Sequence, residues 1–382
     1  MQLAFTPEQE ALSRTLRAFA RKELAPRSAA WDKSGEFPWD VWRRMGELGL
    51  LGLRTPAAYG GQEADYLTFG IAMQEIARGD FGCTYGIQLA GLAGEILGRG
   101  ASEEVKRRWL PPTARGETVI ALALTEPGVG SDAANLACRA ARDSDGYVLT
   151  GEKSGISLAM AAQAAIVFAR TEPTRGAHGV SAFLVPLDLP GVVRTPLRDM
   201  GTRVVGRAVL ALDEVHIPAS HLIGTEGTGF SQVMQGFDYN RVGIALACLG
   251  VADVSLEETI AYVTERRAFG RPLGAFEGVS FAIAEAATHL EACRWLCYRA
   301  LWLADHGRPY TKESAMVKWW GPRLAVETIH QCLLFHGHYG YTDELPFEQR
   351  MRDVVGLEIG DGTAEVMKLI VARQLLGRDV VG

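Results

Sequence analysis

The sequence predicts an α+β protein in which a helical segment, a β-rich segment and a second helical segment follow one another. Apolar residues recur at helical spacing through the first third of the 382-residue chain. Short β-branched runs separated by glycine and proline fill the middle, and helical periodicity returns after them. These observations predict an N-terminal helical domain over 1–118, a middle β domain over 119–225 and a C-terminal helical domain over 226–382.

The N-terminal third begins with a helix-start pattern. Thr6-Pro7-Glu8-Gln9 combines an N-cap hydroxyl, a proline in the first turn and a glutamine at the capping-box position. Four further helices are predicted, at 38–50, 65–79, 83–98 and 102–114. We expect Pro111-Pro112 to break the last of them, because proline cannot donate a backbone hydrogen bond.

The middle segment consists of short apolar runs at near-regular spacing, which are typical of strands. The runs are VIALALTE, GYVLTGEK, AAIVFART, GVSAFLVPL and RAVLALDEVHIP. Because glycines and prolines separate them, we expect a compact antiparallel β domain that ends near Pro218.

The C-terminal segment predicts a four-helix bundle. Between Val279 and Ala304 the apolar residues step by alternating fours and threes, a period typical of packed antiparallel helices. Two more helices are predicted over about 311–335 and 363–376. In the last helix we expect four buried side chains, namely Val366, Leu369, Ile370 and Leu376.

Composition narrows the range of functions. A net charge of −6 without a basic patch argues against nucleic-acid binding. The six cysteines form no CxxC pair and match no zinc spacing, so no metal site is expected. Neither a signal peptide nor an apolar run long enough for a membrane span is visible, so we expect a cytoplasmic enzyme.

The loop Leu124-Thr125-Glu126-Pro127-Gly128-Val129-Gly130-Ser131-Asp132 follows a predicted strand. Its glycines let backbone amides approach a ligand, and Thr125 and Ser131 add hydroxyl groups. The residues alone leave two interpretations open, a loop that binds an anionic or carbonyl-rich group and an ordinary surface turn. It is neither a P-loop nor a dinucleotide-binding GxGxxG.

Four segments together resemble the acyl-CoA dehydrogenase family. ALTEPGVGSD is similar to one family signature, and residues 265–273 resemble its ER-x-x-FG-x-PL motif. Residues 336–341 resemble its glycine-rich segment, and residues 352–363 its closing RD…EGT signature. The four segments occur in the family's order and spacing across nearly the whole chain, so we expect an acyl-CoA dehydrogenase-like fold.

The resemblance implies FAD at a dimer interface within a homotetramer built from two dimers. Residues implied to contact the flavin are Leu124, Thr125, Gly130, Ser131, Gly155, Ile156 and Ser157, and by position also Thr363 and Glu365. Residues implied to hold the other end of the neighbouring subunit's FAD are Arg266, Ala268, Phe269, Leu334, His336, Gly337 and His338. Without the resemblance, Arg266 would be interpreted as a solvated helix arginine.

The resemblance also implies an acyl-CoA substrate and a carboxylate base. The implied substrate contacts are Ser131, Asp238, Arg241 and Gly362. Asp361 lies at the family's base position, where it would remove the substrate α-proton while the β-hydrogen leaves as hydride to the flavin. Some branched-chain relatives carry the base at the position of Asn240, whose amide cannot take a proton. Viewed alone, Asp238 and Arg241 would be a surface pair and Asp361 a turn residue.

Several departures from the family pattern bear on the substrate. Asp361 replaces the usual glutamate and is shorter by about 1.5 Å. Gly155 replaces a tryptophan of the family, and Leu334 and Glu277 replace glutamines thought to hold flavin. The two changes at 155 and 361 favour a branched, alicyclic or otherwise non-linear acyl group. His330, His336 and His338 lack a carboxylate partner in sequence, so a metal is not favoured.

Two alternatives stand beside an acyl-CoA dehydrogenase that passes electrons to an electron-transfer flavoprotein. The first is an oxidase, monooxygenase or desaturase of a carrier-protein-bound acyl group on the same fold. The second is a flavin-free scaffold that binds acyl-CoA.

Overall fold

The computed structural model describes residues 5–172 and 176–381, with backbone only at 232, 233 and 235. The predicted order of helices, sheet and helices is confirmed. The N-terminal part holds α1 (Pro7–Phe19), a π-helical turn (Ala20–Leu24), α2 (Ala25–Ser34), α3 (Trp39–Glu47), α4 (Tyr66–Ala77), α5 (Thr84–Gly100) and α6 (Glu103–Ala114).

The capping box at the start of α1 is confirmed. The Thr6 hydroxyl accepts the Gln9 backbone N–H at 3.2 Å, and the Gln9 side chain accepts the Thr6 N–H at 3.1 Å. The expected break at Pro111-Pro112 is wrong, because α6 continues through both prolines. The helix ends two residues later at Ala114, so the missing proline donors affect only its last turn.

The middle part is one sheet. Its strands are β1 (Ile120–Ala123), β2 (Arg139–Arg142), β3 (Gly146–Ile156), β4 (Ala164–Arg170), β5 (Val180–Pro186), β6 (Val192–Pro196), β7 (Ala208–Pro218) and β8 (Leu222–Ile223). The strand order is β6-β7-β3-β2-β4-β5-β8, with β1 beside β4. Most pairs are antiparallel as predicted, but β1 and β2 both pair with β4 in parallel. The sequence analysis did not anticipate these parallel pairs, because strand runs alone do not specify their partners.

The C-terminal part is a bundle of long helices. It contains α7 (Gly229–Glu265), a hairpin of β9 (Arg267–Ala268) and β10 (Arg271–Pro272), α8 (Glu277–Asp305), α9 (Thr311–Phe335), α10 (Phe347–Val355) and α11 (Ala364–Leu376). The predicted helix over 311–335 is confirmed at both ends. Helix α7 lies at the centre, where Gly243 packs against Phe69 of α4 and Gly321 of α9 packs against Ala245.

The burial predicted for α11 is wrong. Met367 is its buried residue, the apolar residues at 366, 369 and 370 are half-buried, and Leu376 is 61% exposed. Helical periodicity identifies an apolar stripe, but it does not show whether this chain or another covers the stripe.

The described residues contain no helix that is long and apolar enough to cross a membrane. All six cysteines are free and buried. Within the same residues there is no group of three or more His, Cys, Asp or Glu side chains that could hold a metal ion.

Candidate active site

A buried ion pair fixes the loop that follows β1. Lys153 Nζ lies 2.7 Å from a Glu126 carboxylate oxygen, and the two side chains are 0% and 5% exposed. The ammonium group also donates to the Leu124 carbonyl, and the Glu126 carboxylate accepts the backbone N–H groups of Ala137 and Cys138. Because the ammonium group has two acceptors and both carboxylate oxygens have donors, the loop has one well-defined backbone path. The sequence analysis missed this pair.

The loop and the end of β3 lie side by side. The backbone N–H of Ser154 donates to the Thr125 carbonyl at 2.9 Å, which brings Leu124 and Thr125 next to Gly155, Ile156 and Ser157. Leu124 and Ile156 are buried and support this edge, whereas the hydroxyl-bearing Thr125 and Ser131 are exposed.

Glycines keep this edge open. A Cβ atom built on Gly128, Gly130 or Gly155 would meet nothing within 4 Å. Gly155 has a φ of +69°, a left-handed conformation that residues larger than glycine rarely adopt. An open, glycine-lined edge bordered by hydroxyl groups and backbone amides fits a planar, polar-edged ring such as flavin.

Arg207, which no sequence motif contains, binds the last residue of this edge. Its Nε donates to Ser157 Oγ at 3.2 Å, and its Nη2 donates to the hydroxyl of Tyr85 at 2.7 Å. Its Nη1 donates to Asp199 at 2.8 Å and to Thr202 at 2.9 Å. Arg207 therefore connects the sheet edge to helix α5.

Asp361 is half-buried, and two helices bind its carboxylate and its backbone carbonyl. Gln88 Nε2 of α5 donates to Asp361 Oδ2 at 3.1 Å, and Arg241 Nε of α7 donates to the Asp361 carbonyl at 3.1 Å. Asp361 has a left-handed φ of 54° and the following Gly362 a φ of 106°. These contacts stabilise an unusual turn that would otherwise be costly for a non-glycine residue.

A buried lysine, also missed in the sequence, lies beneath this turn. Lys318 Nζ of α9 donates to the carbonyls of Leu357 at 2.7 Å and Gly362 at 3.1 Å. Burial lowers the pKa of Lys318 from 10.5 to about 8, partly offset by the nearby charge of Asp361. The turn that carries Asp361 is thus stabilised by hydrogen bonds from Gln88, Arg241 and Lys318.

Helix α5 contacts both the sheet edge and Asp361. Tyr85 and Gln88 are three residues apart and therefore share one helix face. Tyr85 accepts from Arg207, while Gln88 donates to Asp361. Burial raises the pKa of Tyr85, the charge of Arg207 lowers it, and the charge of Asp361 raises it.

The predicted substrate residues of α7 form a largely buried pair instead of the surface pair that the sequence alone suggested. Arg241 Nη1 lies 3.2 Å from Asp238, with side chains 9% and 16% exposed. Asp238 also accepts from the Thr311 hydroxyl at 2.5 Å. Of the two residues implied in α11 and its cap, Thr363 accepts the Val366 N–H as N-cap and Glu365 is exposed.

The residues implied for the far end of FAD lie elsewhere on the bundle. Arg266 and Phe269 are exposed on the β9–β10 hairpin, where Phe269 is 96% exposed with a φ of 51°. Ala268 of the hairpin is half-buried, and Leu334, Gly337 and His338 are exposed at the end of α9. Leu334 is sixteen residues from Lys318 on α9, about 24 Å along the helix axis. The end of α9 is therefore well separated from the turn that carries Asp361.

His336 differs from its exposed neighbours. It is 7% exposed, stacks on Tyr262 at 4.2 Å and has Nδ1 2.9 Å from the Cys332 carbonyl. This places the ring in the packing between α7 and α9.

The fold consists of a helical domain, a sheet and a helical bundle, and helix α5 contacts both the Asp361 carboxylate and the sheet edge. This combination defines a class of flavin-dependent dehydrogenases. The chain matches the N-terminal domain of acyl-CoA dehydrogenases over 6–117, the middle domain over 121–215 and the C-terminal domain over 227–376. The protein therefore belongs to the acyl-CoA dehydrogenase family.

Individual relatives agree with this assignment. The chain is 36% identical to the probable acyl-CoA dehydrogenase YngJ of Bacillus subtilis over 98% of this chain and 100% of that protein. It is 39% identical to the mitochondrial short-chain specific acyl-CoA dehydrogenase of Rattus norvegicus, over 96% and 89% of the two chains. Butyryl-CoA dehydrogenase from Megasphaera elsdenii has the same fold, with a TM-score of 0.94, 31% identity and 98% and 100% coverage. The protein is accordingly an FAD-dependent oxidoreductase of this family, which argues against the flavin-free scaffold.

Proposed function

We propose that the protein dehydrogenates a short, non-linear acyl-CoA thioester between its α and β carbons, with Asp361 removing the α-proton. The observation that carries this proposal is the way Asp361 is held. Gln88 binds its carboxylate, and Arg241 and Lys318 bind the backbone carbonyls of the turn, so the acid is fixed beside the helix that also contacts the sheet edge. A turn residue without a functional role would not need such support.

The hydrogen bonds leave Asp361 suited to act as a base. Gln88 donates to Oδ2, and Oδ1 has no hydrogen-bond partner among the described groups, which do not include the side chains at 232, 233 and 235. The Gln88 contact also limits rotation of the side chain, so that Oδ1 is the oxygen available to take a proton from substrate.

FAD, bound along Thr125, Ser131 and the end of β3, would supply the acceptor for the β-hydride. The side chains of this edge would bind and orient it: Ser157 through its hydroxyl, and Leu124 and Ile156 through apolar support. Asp238, Arg241 and Ser131 would contact the thioester and its CoA portion. The residues at 266–269 and 334–338, most of which are exposed, would hold the FAD of a neighbouring subunit in a homotetramer.

The shape of the site supports a non-linear acyl group. Gly155 leaves open space where the family usually carries an indole. Asp361 reaches less far than glutamate, so a wider acyl group is needed to bring its α-carbon to the base. Asn240 is fully buried, which agrees with the absence of a second base at that position.

Anaerobic titration of the yellow, FAD-containing protein with a matched set of acyl-CoA thioesters tests this proposal. Isobutyryl-CoA and cyclohexanecarbonyl-CoA should bleach the flavin absorbance and support reduction of a ferrocenium dye faster than butyryl-CoA or octanoyl-CoA. Faster turnover of the straight chains would contradict the substrate class. A protein that binds FAD but bleaches with no thioester in the set would contradict the reaction itself.

The open space at Gly155 also favours one alternative, an oxidase, because oxygen could reach the cofactor there. Peroxide production in air distinguishes the two. A dehydrogenase that passes electrons to an electron-transfer flavoprotein should form peroxide much more slowly than it reduces the dye, whereas an oxidase should form it at a comparable rate.

A further inference from the structure

Arg207 is the charged group closest to the sheet edge whose function the mechanism above leaves open. Its side chain is 19% exposed, and its hydrogen bonds reach a strand end, a loop and a helix. It follows Gly206, which has a left-handed φ of 57° and directs the chain into β7. An exposed ion pair contributes little and does not need so many hydrogen bonds, so we interpret this guanidinium group as part of the site.

The direction of the hydrogen bonds is fixed by chemistry. A guanidinium group donates and never accepts, so Ser157 Oγ must accept from Arg207 Nε. The hydroxyl hydrogen of Ser157 must then point to another acceptor. The same argument applies to Tyr85, whose oxygen accepts from Arg207 Nη2 and whose hydrogen must point elsewhere. Arg207 therefore leaves the hydrogen of each hydroxyl group to be donated to another acceptor.

The charge of Arg207 is only partly balanced. Asp199 lies 2.8 Å from Nη1 and is 25% exposed, on the side away from Ser157 and Tyr85 in the hydrogen-bond network. Asp199 binds Nη1, whereas Nε and Nη2 face the uncharged hydroxyl groups of Ser157 and Tyr85. A net positive potential therefore remains at the Ser157 side.

We propose that Arg207 is a positioning residue for the cofactor: it fixes the Ser157 hydroxyl as a donor to the flavin and places positive charge beside the ring. This inference rests on the proposed function, which puts Ser157 at the flavin. Positive charge near the ring stabilises the electrons that it gains, so the flavin becomes easier to reduce. The residue thereby adjusts the driving force for removing hydride from the substrate.

The test is the midpoint potential of the bound flavin, measured by reductive titration against a reference dye. Arg207→Met removes the charge and keeps most of the volume. It should lower the potential by about 30 mV or more, a tenfold change in the two-electron equilibrium constant. Arg207→Lys should retain most of the potential. Asp199→Asn removes the counter-charge without touching Ser157, and it should raise the potential.

Arg194→Met is the matched control. Arg194 donates to the backbone carbonyls of residues 159, 160 and 162, just after Ser157, and does not bind Ser157 itself. Its loss should shift the potential much less. An Arg207→Met protein with bound FAD and the wild-type potential would overturn the inference. If that variant does not fold, an unchanged potential in Asp199→Asn overturns it. If no acyl-CoA thioester reduces the flavin of the wild-type protein, that result would instead count against the proposed function.

Discussion

The surroundings of Asp361 and the β9–β10 hairpin differ in what holds them in place. Around Asp361, groups from α5, α7 and α9 engage both the side chain and the backbone of the turn. On the hairpin, Phe269 is almost fully exposed in a left-handed conformation. Under the proposed function, one chain would supply the residues that react with the substrate, whereas the hairpin would bind the FAD of a neighbouring chain.

The largest expected effect is the loss of turnover when the proposed base, Asp361, is removed. Asp361→Asn keeps the shape and loses the basicity, so turnover of the best acyl-CoA should fall by about 10²- to 10⁴-fold. The flavin spectrum should stay unchanged, because the amide contacts substrate and not the ring. Asp361→Glu is the control that keeps a carboxylate, and it should retain measurable turnover. Near-normal turnover in Asp361→Asn would show that another group is the base.

The second prediction concerns the lysine beneath the turn. Its pKa is lowered from 10.5 to about 8 in the folded protein, so between these values the folded protein has lost a proton that the unfolded chain still binds. The free energy of unfolding should therefore rise with pH across this interval, by up to roughly 3 kcal/mol.

Urea unfolding of wild type and Lys318→Met at pH 7.5 and 10 measures this effect. The stability difference between the two proteins should move in favour of wild type at the higher pH. Lys312→Met, which removes a lysine exposed near the start of the same helix, is the control. Equal pH dependence in wild type and Lys318→Met would contradict the burial of an ionisable amine at this position.

The smallest expected effect concerns the β9–β10 hairpin. Phe269→Ala should weaken FAD binding about tenfold by removing a contact with the neighbouring subunit's cofactor, a loss of about 1.4 kcal/mol. Stability of the single chain should change by less than about 0.5 kcal/mol, because the ring is exposed. Flavin fluorescence gives the affinity and urea unfolding the stability. Val193→Ala, exposed on β6, is the matched control. Unchanged FAD affinity would remove the hairpin from the cofactor site.

The sequence predicted the parts of the fold that local patterns determine. The capping box of α1 and both ends of α9 are examples, because caps and periodicity act over a few residues. The apolar stripe of α11 was found but its burial was not, since Leu376 remains exposed in a single chain.

The groups that stabilise the site were not predicted from the sequence, and the reason is different. Gln88 and Asp361 are 273 residues apart, and Lys318 and Gly362 are 44 apart. No local spacing connects such pairs. Tyr85 and Arg207 likewise become neighbours only when α5 packs against the start of β7. A glutamine, a tyrosine and a lysine on helix faces carry no signature until the fold brings their partners to them.

The left-handed backbone at Asp361 constrains how this enzyme could change. Among residues with a side chain, aspartate and asparagine adopt this conformation with the least strain, because their short polar groups can bond locally. Glutamate would extend the acid by one methylene but would fit this backbone less well. A glutamate at this position would extend further toward the substrate but would strain the backbone. Replacing aspartate by glutamate would therefore also require a change in the turn.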